Sequence, residues 1–341
     1  MINTELCHDL LLEKIQPKLG YANCADYSEW KETLRKKFIE LTGLAEIEKN
    51  ICPLNIQVEW EKQKEGYKLI RFTFDSEIGE TVPCYLLIPS TGKKKYPVAI
   101  TLQGHSSGFH NSIGEPKDET DEKNYPRTAL ALQAVENGFV ALAIEQRGMG
   151  ERKPLRADRV PNIMCEYNSR VALSLGRTTL GERVWDIHRA IDALSAFSQC
   201  DLDKILITGN SGGGTASYYA ACYDERIKIC APSCSFCSYK ESILSIAHCI
   251  CNYIPFSYKY FDMQDLACMI APRSLLVVAG TLDTIFPIEG VRRGFDTVKR
   301  IYEQNGKGEN CRLVETPEGH FWYVNIVWPE IKKECVKMGW F

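Results

Sequence analysis

A serine between glycines, an aspartate and a histidine follow one another in this chain in an order suited to nucleophilic chemistry. Ser211 lies in Gly209-Asn210-Ser211-Gly212-Gly213, which fits the pattern G-x-S-x-G. Three fixed positions in five arise often by chance, so the setting decides what the pattern means. Ile205, Leu206 and Ile207 precede it as a buried-strand signature, and a run of small residues after it opens a helix. A tight turn between strand and helix needs glycines there, because flanking side chains would clash. The Ser211 hydroxyl then stands at the carboxyl edge of a sheet, where open α/β folds bind ligands. A serine needs a base within reach, and the base needs a carboxylate to orient it. Asp283, just past the strand that ends at Gly280, and His320, in the loop after the last strand, supply both. Glu289 and Asp296 are weaker acids because they fall inside the next helix. His8, His110, His188 and His248 are poorly placed as the base.

The rival reading of the glycine run is a phosphate-cradling loop. A Walker loop needs Lys and Ser/Thr after its last glycine, whereas Thr215-Ala216 follows here, and G-x-G-x-x-G is absent. An acyl-transfer site also needs two backbone N–H donors for the oxyanion. Gly212 supplies one. The loop LQGHSSGF at 102–109 supplies the other, through the backbone N–H of His105, with the His105 imidazole as a substrate ligand being the alternative.

The elements that must position these residues can be read from hydrophobic period. Residues 1–50 are helical: Leu6, Leu10, Leu11 and Ile15 recur at helical spacing, and a second helix stops at Gly43. From about 54 to 89 three alternating segments form antiparallel strands with turns at Gly66 and Gly79. Beyond Lys95, buried strands at 96–104, 139–148, 204–210, 226–233, 273–280 and 311–316 alternate with helices. That alternation predicts an α/β fold with a mostly parallel central sheet covered on both faces. The expected organisation is an N-terminal helical extension over 1–50 and one α/β domain over 51–341. Two long connections, 146–179 and 233–270, read as lids or binding walls.

Composition removes several function classes. The 341 residues carry 41 basic and 44 acidic side chains for a net charge of -3, with 45% hydrophobic residues. No like-charge run suits nucleic acid or an anionic membrane, and Lys93-Lys94-Lys95 reads as a solvated turn. No stretch is apolar enough to span a bilayer, and the N-terminus lacks the basic and apolar regions of a signal peptide. Fifteen cysteines, many inside apolar runs, read as free buried thiols of a cytoplasmic protein. Cys230, Cys234 and Cys237 have a C-x3-C-x2-C spacing that can hold an iron–sulfur cluster, with His248, Cys249 and Cys251 following. Phe236 and Tyr239 between them favour packed thiols, so neither metal nor cofactor is expected.

Taken in order, the strings QGHSSG, EQRGMGE, LGERVWDIHRAIDAL, DLDKILITGNSGGG, IAPRSLLVVAGTLDTIFP and EGHF resemble the serine α/β-hydrolases of the dienelactone-hydrolase-like group, especially acetyl xylan esterases and cephalosporin-C deacetylases. The resemblance spans about residues 80–325. It implies Ser211 as nucleophile, Asp283 as orienting acid, His320 as base, and His105 and Gly212 as oxyanion donors. It also implies a short acyl group, acetyl above all, on a small-molecule or oligosaccharide ester. Glu145-Gln146-Arg147-Gly148 departs from the group's usual Asp before Arg-Gly, and Arg147 is expected to tie its loop to a carboxylate such as Asp186. Gln103 stands where the group often has His, which bears on the acyl pocket. Gln103 and Trp322, with Tyr253, Phe256, Tyr258, Tyr260 and Phe261, are the candidate substrate contacts; the aromatics serve equally well as lid core. A prolyl-oligopeptidase-like peptidase and a catalytically silent binding protein are the other readings, and self-association stays open.

Overall fold

A computed structural model describes residues 4–155 and 165–341. Its sheet has nine strands: β1 Gln57–Lys64, β2 Tyr67–Glu77, β3 Glu80–Pro89, β4 Tyr96–Leu102, β5 Val140–Ile144, β6 Cys200–Asn210, β7 Ile227–Ser233, β8 Ser274–Gly280 and β9 Cys311–Thr316. Their order across the sheet is β1-β2-β3-β5-β4-β6-β7-β8-β9. The first three strands and the β3–β5 pair are antiparallel; every later pairing is parallel. Glycines 66 and 79, both at φ 82°, make the two hairpin turns, where a positive φ suits a residue without Cβ. β4 and β5 are buried along their whole length because helices cover both faces.

One face of the sheet packs under the helices Tyr27–Thr42, Thr179–Ala193, Gly212–Tyr223 and Ile288–Gln304, the other under Leu130–Glu136 and Val324–Lys337. Caps explain where several of these begin and end. Asp26 accepts a hydrogen bond from the Glu29 N–H, Thr178 accepts one from the Gly181 N–H, and Gly43 closes the first long helix at φ 77°. Trp30, Leu34 and Phe38 then bury themselves in the same core as the sheet. The chain before them adds backbone bonds to a distant segment: Lys18 N–H to Lys259 O at 3.0 Å and Leu19 N–H to Tyr260 O at 2.6 Å.

Two local expectations change. The helix Leu6–Lys14 forms, yet buries none of its side chains, and Leu10 and Leu11 stay 45% and 60% exposed. A helical period guarantees a stripe, and burial needs a neighbour to receive it. The helix Val324–Lys337, beyond the last expected strand, was not anticipated; it carries Pro329 inside it, and Trp328 and Ile331 anchor it in the core. Residues 156–164, in the middle of the 146–179 connection, lie outside the described residues.

Parallel register brings the chemistry-bearing loops to one edge. Leu102 pairs with Gly209, Asn210 with Ser233 and Gly280 with Thr316, so β4, β6, β7, β8 and β9 end side by side. The strand order reverses around β4, where a crevice opens at the carboxyl ends.

Candidate active site

Ser211 sits on the turn from β6 into the helix Gly212–Tyr223 with φ 55° and ψ −124°. A side-chain-bearing residue in that region is strained by roughly 1–3 kcal/mol and persists because its surroundings hold it. The Ser211 N–H donates to Ser233 O at 2.9 Å, and its carbonyl accepts from the Thr215 N–H at 2.9 Å. The glycines permit the approach of β4: a Cβ on Gly209 would lie 2.5 Å from Leu102 O, and one on Gly213 would lie 2.6 Å from Gln103 O.

Asp283 and His320 meet from the loops after β8 and β9. His320 Nδ1 lies 2.8 Å from Asp283 Oδ2, while Asp283 Oδ1 accepts from the N–H groups of Ile285 and Phe286 at 2.8 and 3.1 Å. Burial alone would raise the Asp283 pKa; the hydrogen bond and charge of His320, with the two amides, reverse it and hold the carboxyl below its ordinary range. Phe286 stacks on the His320 ring at 5.9 Å and 12° and fixes its plane, a contact the sequence did not disclose. Ser211, His320, Gln103, His105 and Trp322 line one cavity of about 750 Å³. The Ser211 hydroxyl makes no direct hydrogen bond to His320, a looseness common before substrate tightens such a site.

The loop after β4 closes the other side. The His105 backbone nitrogen is 4.0 Å from the place a Gly212 Cβ would take, and the His105 ring lies against the same glycine with Nδ1 at 3.0 Å. Below the loop, Asp121 accepts from Ser107 Oγ at 2.6 Å and from Asn111 Nδ2 at 2.9 Å, and pairs with His110 Nε2 at 3.0 Å. His110 therefore braces the loop. Gln103 is buried, donates from Nε2 to Glu145 Oε1 at 2.8 Å, and keeps an Oε1 with no partner among the described residues.

Glu145 is fully buried and takes its bonds from Gln103 and the N–H groups of Phe109 and Glu151. Gly150 leaves it room, since a Cβ there would fall 2.5 Å from the carboxyl carbon. Burial pushes the Glu145 carboxyl up to about 7, against the two backbone bonds that lower it. In the unfolded chain this group ionises near 4.5, whereas in the fold it stays neutral to about 7. Raising the pH through that window thus favours the unfolded chain, by about 3 kcal/mol at most. The expected result is that urea stability declines from pH 5 to 7.5 more steeply in the native chain than in Glu145→Gln; equal slopes would refute it.

Arg147 meets its expectation: Nε and Nη2 grip Asp186 at 3.0 and 2.9 Å, and Nη2 also reaches Glu77 at 2.6 Å. The aromatic wall does not form. None of Tyr253, Phe256, Tyr258, Tyr260 and Phe261 lines the Ser211 cavity; three of them border a separate hollow, and Phe261 is core. Trp322 touches the cavity but is only 3% exposed, because its Nε1 donates to Gln133 Oε1 at 2.8 Å and its ring packs on Trp328. Its stacking face is spent on the core. The aromatic ring actually presented is Phe321, 40% exposed, with the Arg127 guanidinium 4.7 Å above it. Cys230, Cys234 and Cys237 point apart, toward Ser217 O, Phe321 O and Pro287 O, so their spacing makes no cluster. Cys234 instead lies beside Asp283 and His320, with burial and then the Asp283 charge pushing its thiol up to about 12.

The sequence model of the Abhydrolase family matches residues 2–318. The chain belongs to that family. With the Abhydrolase assignment goes the α/β-hydrolase fold. The Bacillus subtilis (strain 168) protein named "Putative hydrolase YtaP" is 24% identical over 272 residues, 79% of this chain and 88% of its own. Among solved structures, a "putative acetyl xylan esterase" from Bacteroides fragilis NCTC 9343 superposes with a TM-score of 0.80 at 20% identity, covering 98% of this chain and 95% of that one. A glucuronoyl esterase from Solibacter usitatus gives 0.67 at 15% identity, covering 94% and 98%. Likeness at these identities establishes the fold this Abhydrolase chain shares with them. No helix among the described residues is long and apolar enough to cross a membrane.

Proposed function

We propose that this Abhydrolase-family chain is a serine esterase that removes short acyl groups, acetyl above all, from carbohydrate esters. The observation that carries the reading is the His320 Nδ1–Asp283 Oδ2 bond of 2.8 Å, with its imidazole lining the same cavity as the strained Ser211 turn. Ser211 Oγ attacks the ester carbonyl while His320 Nε2 takes its proton, and Asp283 holds the ring in the required tautomer and stabilises its positive charge. The backbone N–H groups of Gly212 and His105 receive the oxyanion. His320 returns the proton to the departing alcohol, and water then releases the acyl group by the same route.

The alcohol side is read from the cavity wall. Asn111, Asn124, Thr120 and Thr128 line it beside Gln103, a set of amides and hydroxyls suited to a sugar's hydroxyl groups. The names of the similar structures, an acetyl xylan esterase and a glucuronoyl esterase, support a carbohydrate ester as substrate. All fifteen cysteines are free, which supports a reducing compartment such as the cytoplasm. A fluorophosphonate probe is expected to label Ser211 stoichiometrically. Acetylated xylo-oligosaccharide should then outrun both a glucuronate methyl ester and an aminoacyl amide. No labelling would sink the esterase reading, and preferred amide turnover would turn it into a peptidase.

A further inference from the structure

Away from the Ser211 hydroxyl, the far nitrogen of His105 meets three cysteines from other parts of the chain. His105 Nε2 lies 3.2 Å from Cys251 Sγ and 3.6 Å from Cys165 Sγ. The donor atoms of His105, Cys165 and Cys249 all fall within 4.8 Å of one another. Cys251 Sγ joins this group through His105 Nε2 and also lies beside Arg183 Nη1. We propose that His105 Nε2, Cys165, Cys249 and Cys251 form a tetrahedral zinc site. This assignment concerns metal binding alone and stands or falls separately from the esterase reading.

Donor chemistry and spacing agree. Three thiolates and one imidazole are a common structural zinc set, and metal–ligand distances of about 2.3 Å to sulfur and 2.0 Å to nitrogen put neighbouring donors roughly 3.5–3.8 Å apart. The two distances from His105 Nε2 to sulfur, 3.2 and 3.6 Å, straddle the lower end of that range. Cys165 and Cys251 are buried, while Cys249 is exposed and gives the ion a way in.

An independent observation comes from Arg183. Its guanidinium is 1% exposed and has no carboxylate partner among the described residues; Nε and Nη2 donate to Arg147 O, and Nη1 lies 3.4 Å from Cys251 Sγ. A buried cation without a counter-charge is costly. Zinc with three thiolates and a neutral imidazole carries one net negative charge, so Arg183 supplies the balancing positive one.

The site would join three segments at one point. His105 belongs to the loop after β4, Cys165 to the 146–179 connection, and Cys249 and Cys251 to the 233–270 connection. With Nε2 on the metal, the ring proton sits on Nδ1, the atom that faces Gly212. The two long connections thereby act as struts for the oxyanion loop rather than as free lids.

The test is metal content. Full-length protein grown with added zinc and desalted without chelator is expected to hold about one zinc per chain by mass spectrometry. Cys165→Ser and Cys251→Ser should each fall to a small fraction of that, whereas Cys7→Ser, at an exposed cysteine on the first helix, should not. Should a variant fail to fold, the native chain still answers. Stripped with chelator and given one equivalent of cobalt(II), it should show the thiolate charge-transfer and tetrahedral visible bands. A native chain that holds no zinc and gives no cobalt–thiolate band overturns the proposal. So does zinc retained in both ligand variants, or an intact mass that reveals a disulfide among these three cysteines.

Discussion

Ser211→Ala is expected to lower kcat toward 4-nitrophenyl acetate by about 10⁴- to 10⁶-fold while leaving thermal stability within a degree or so of the native chain. The two halves of that result have different causes. Activity falls because the attacking oxygen is gone and the remaining N–H donors can only polarise the carbonyl for water. Stability holds because alanine suffers the same backbone strain at φ 55° and keeps the N–H bond to Ser233 O. His320→Ala should cost a similar factor, and the double variant little more than either alone, since the two side chains act on one proton transfer. Native-level hydrolysis by Ser211→Ala would end the mechanism. Additive losses would mean that Ser211 and His320 serve separate steps.

The second large effect is on folding. Arg147→Met is expected to destabilise the chain by about 3–5 kcal/mol, read as a lower urea midpoint. Arg147 is 6% exposed and sits between Asp186 and Glu77, which are 1% and 2% exposed, with Glu182 at 3.6 Å. Burial would drive the Asp186 carboxyl up; Arg147 and Arg152 instead hold it well below the ordinary carboxylate range. A carboxyl so depressed adds stability above its unfolded value near 3.8 and loses it as the pH falls further. Removing Arg147 strands that charge. Arg147→Lys should recover only part of the loss, because one ammonium cannot reproduce the two-pronged grip on Asp186. A midpoint unchanged by Arg147→Met would show that Arg152 and Arg177 suffice.

Which parts of this were legible in one sequence follows from the range of the forces involved. Eight of the nine strands could be read because burial on one or both faces writes itself into residue period; β1 is almost wholly exposed and showed instead through its β-forming residues and the turn at Gly66. The order Ser211, Asp283, His320 was visible because each follows a strand whose carboxyl end must share an edge in a parallel sheet. Side-chain direction was not. Trp322 stands two residues from His320 and looked like a sugar platform, yet Gln133, far away in sequence, claims its indole N–H. The cysteines tell the same story more sharply. Cys230, Cys234 and Cys237 are close in sequence and point apart in space, whereas Cys165 and Cys251 come together with His105 from three separate loops. Strand geometry alternates and diverts neighbours, and only the folded topology reveals which distant thiols converge.

The backbone bonds from Lys18 and Leu19 to Lys259 and Tyr260 carry a consequence for synthesis. A ribosome adding roughly 5–20 residues per second finishes the first of these segments some 10–50 seconds before the second has even been made. During that interval the Lys18 and Leu19 N–H groups have no partner to meet, although Phe38 already has Tyr219 to pack on. The earliest-made segment is thus among the last to be tied down. A nascent chain halted before residue 259 should be the form that chaperones hold.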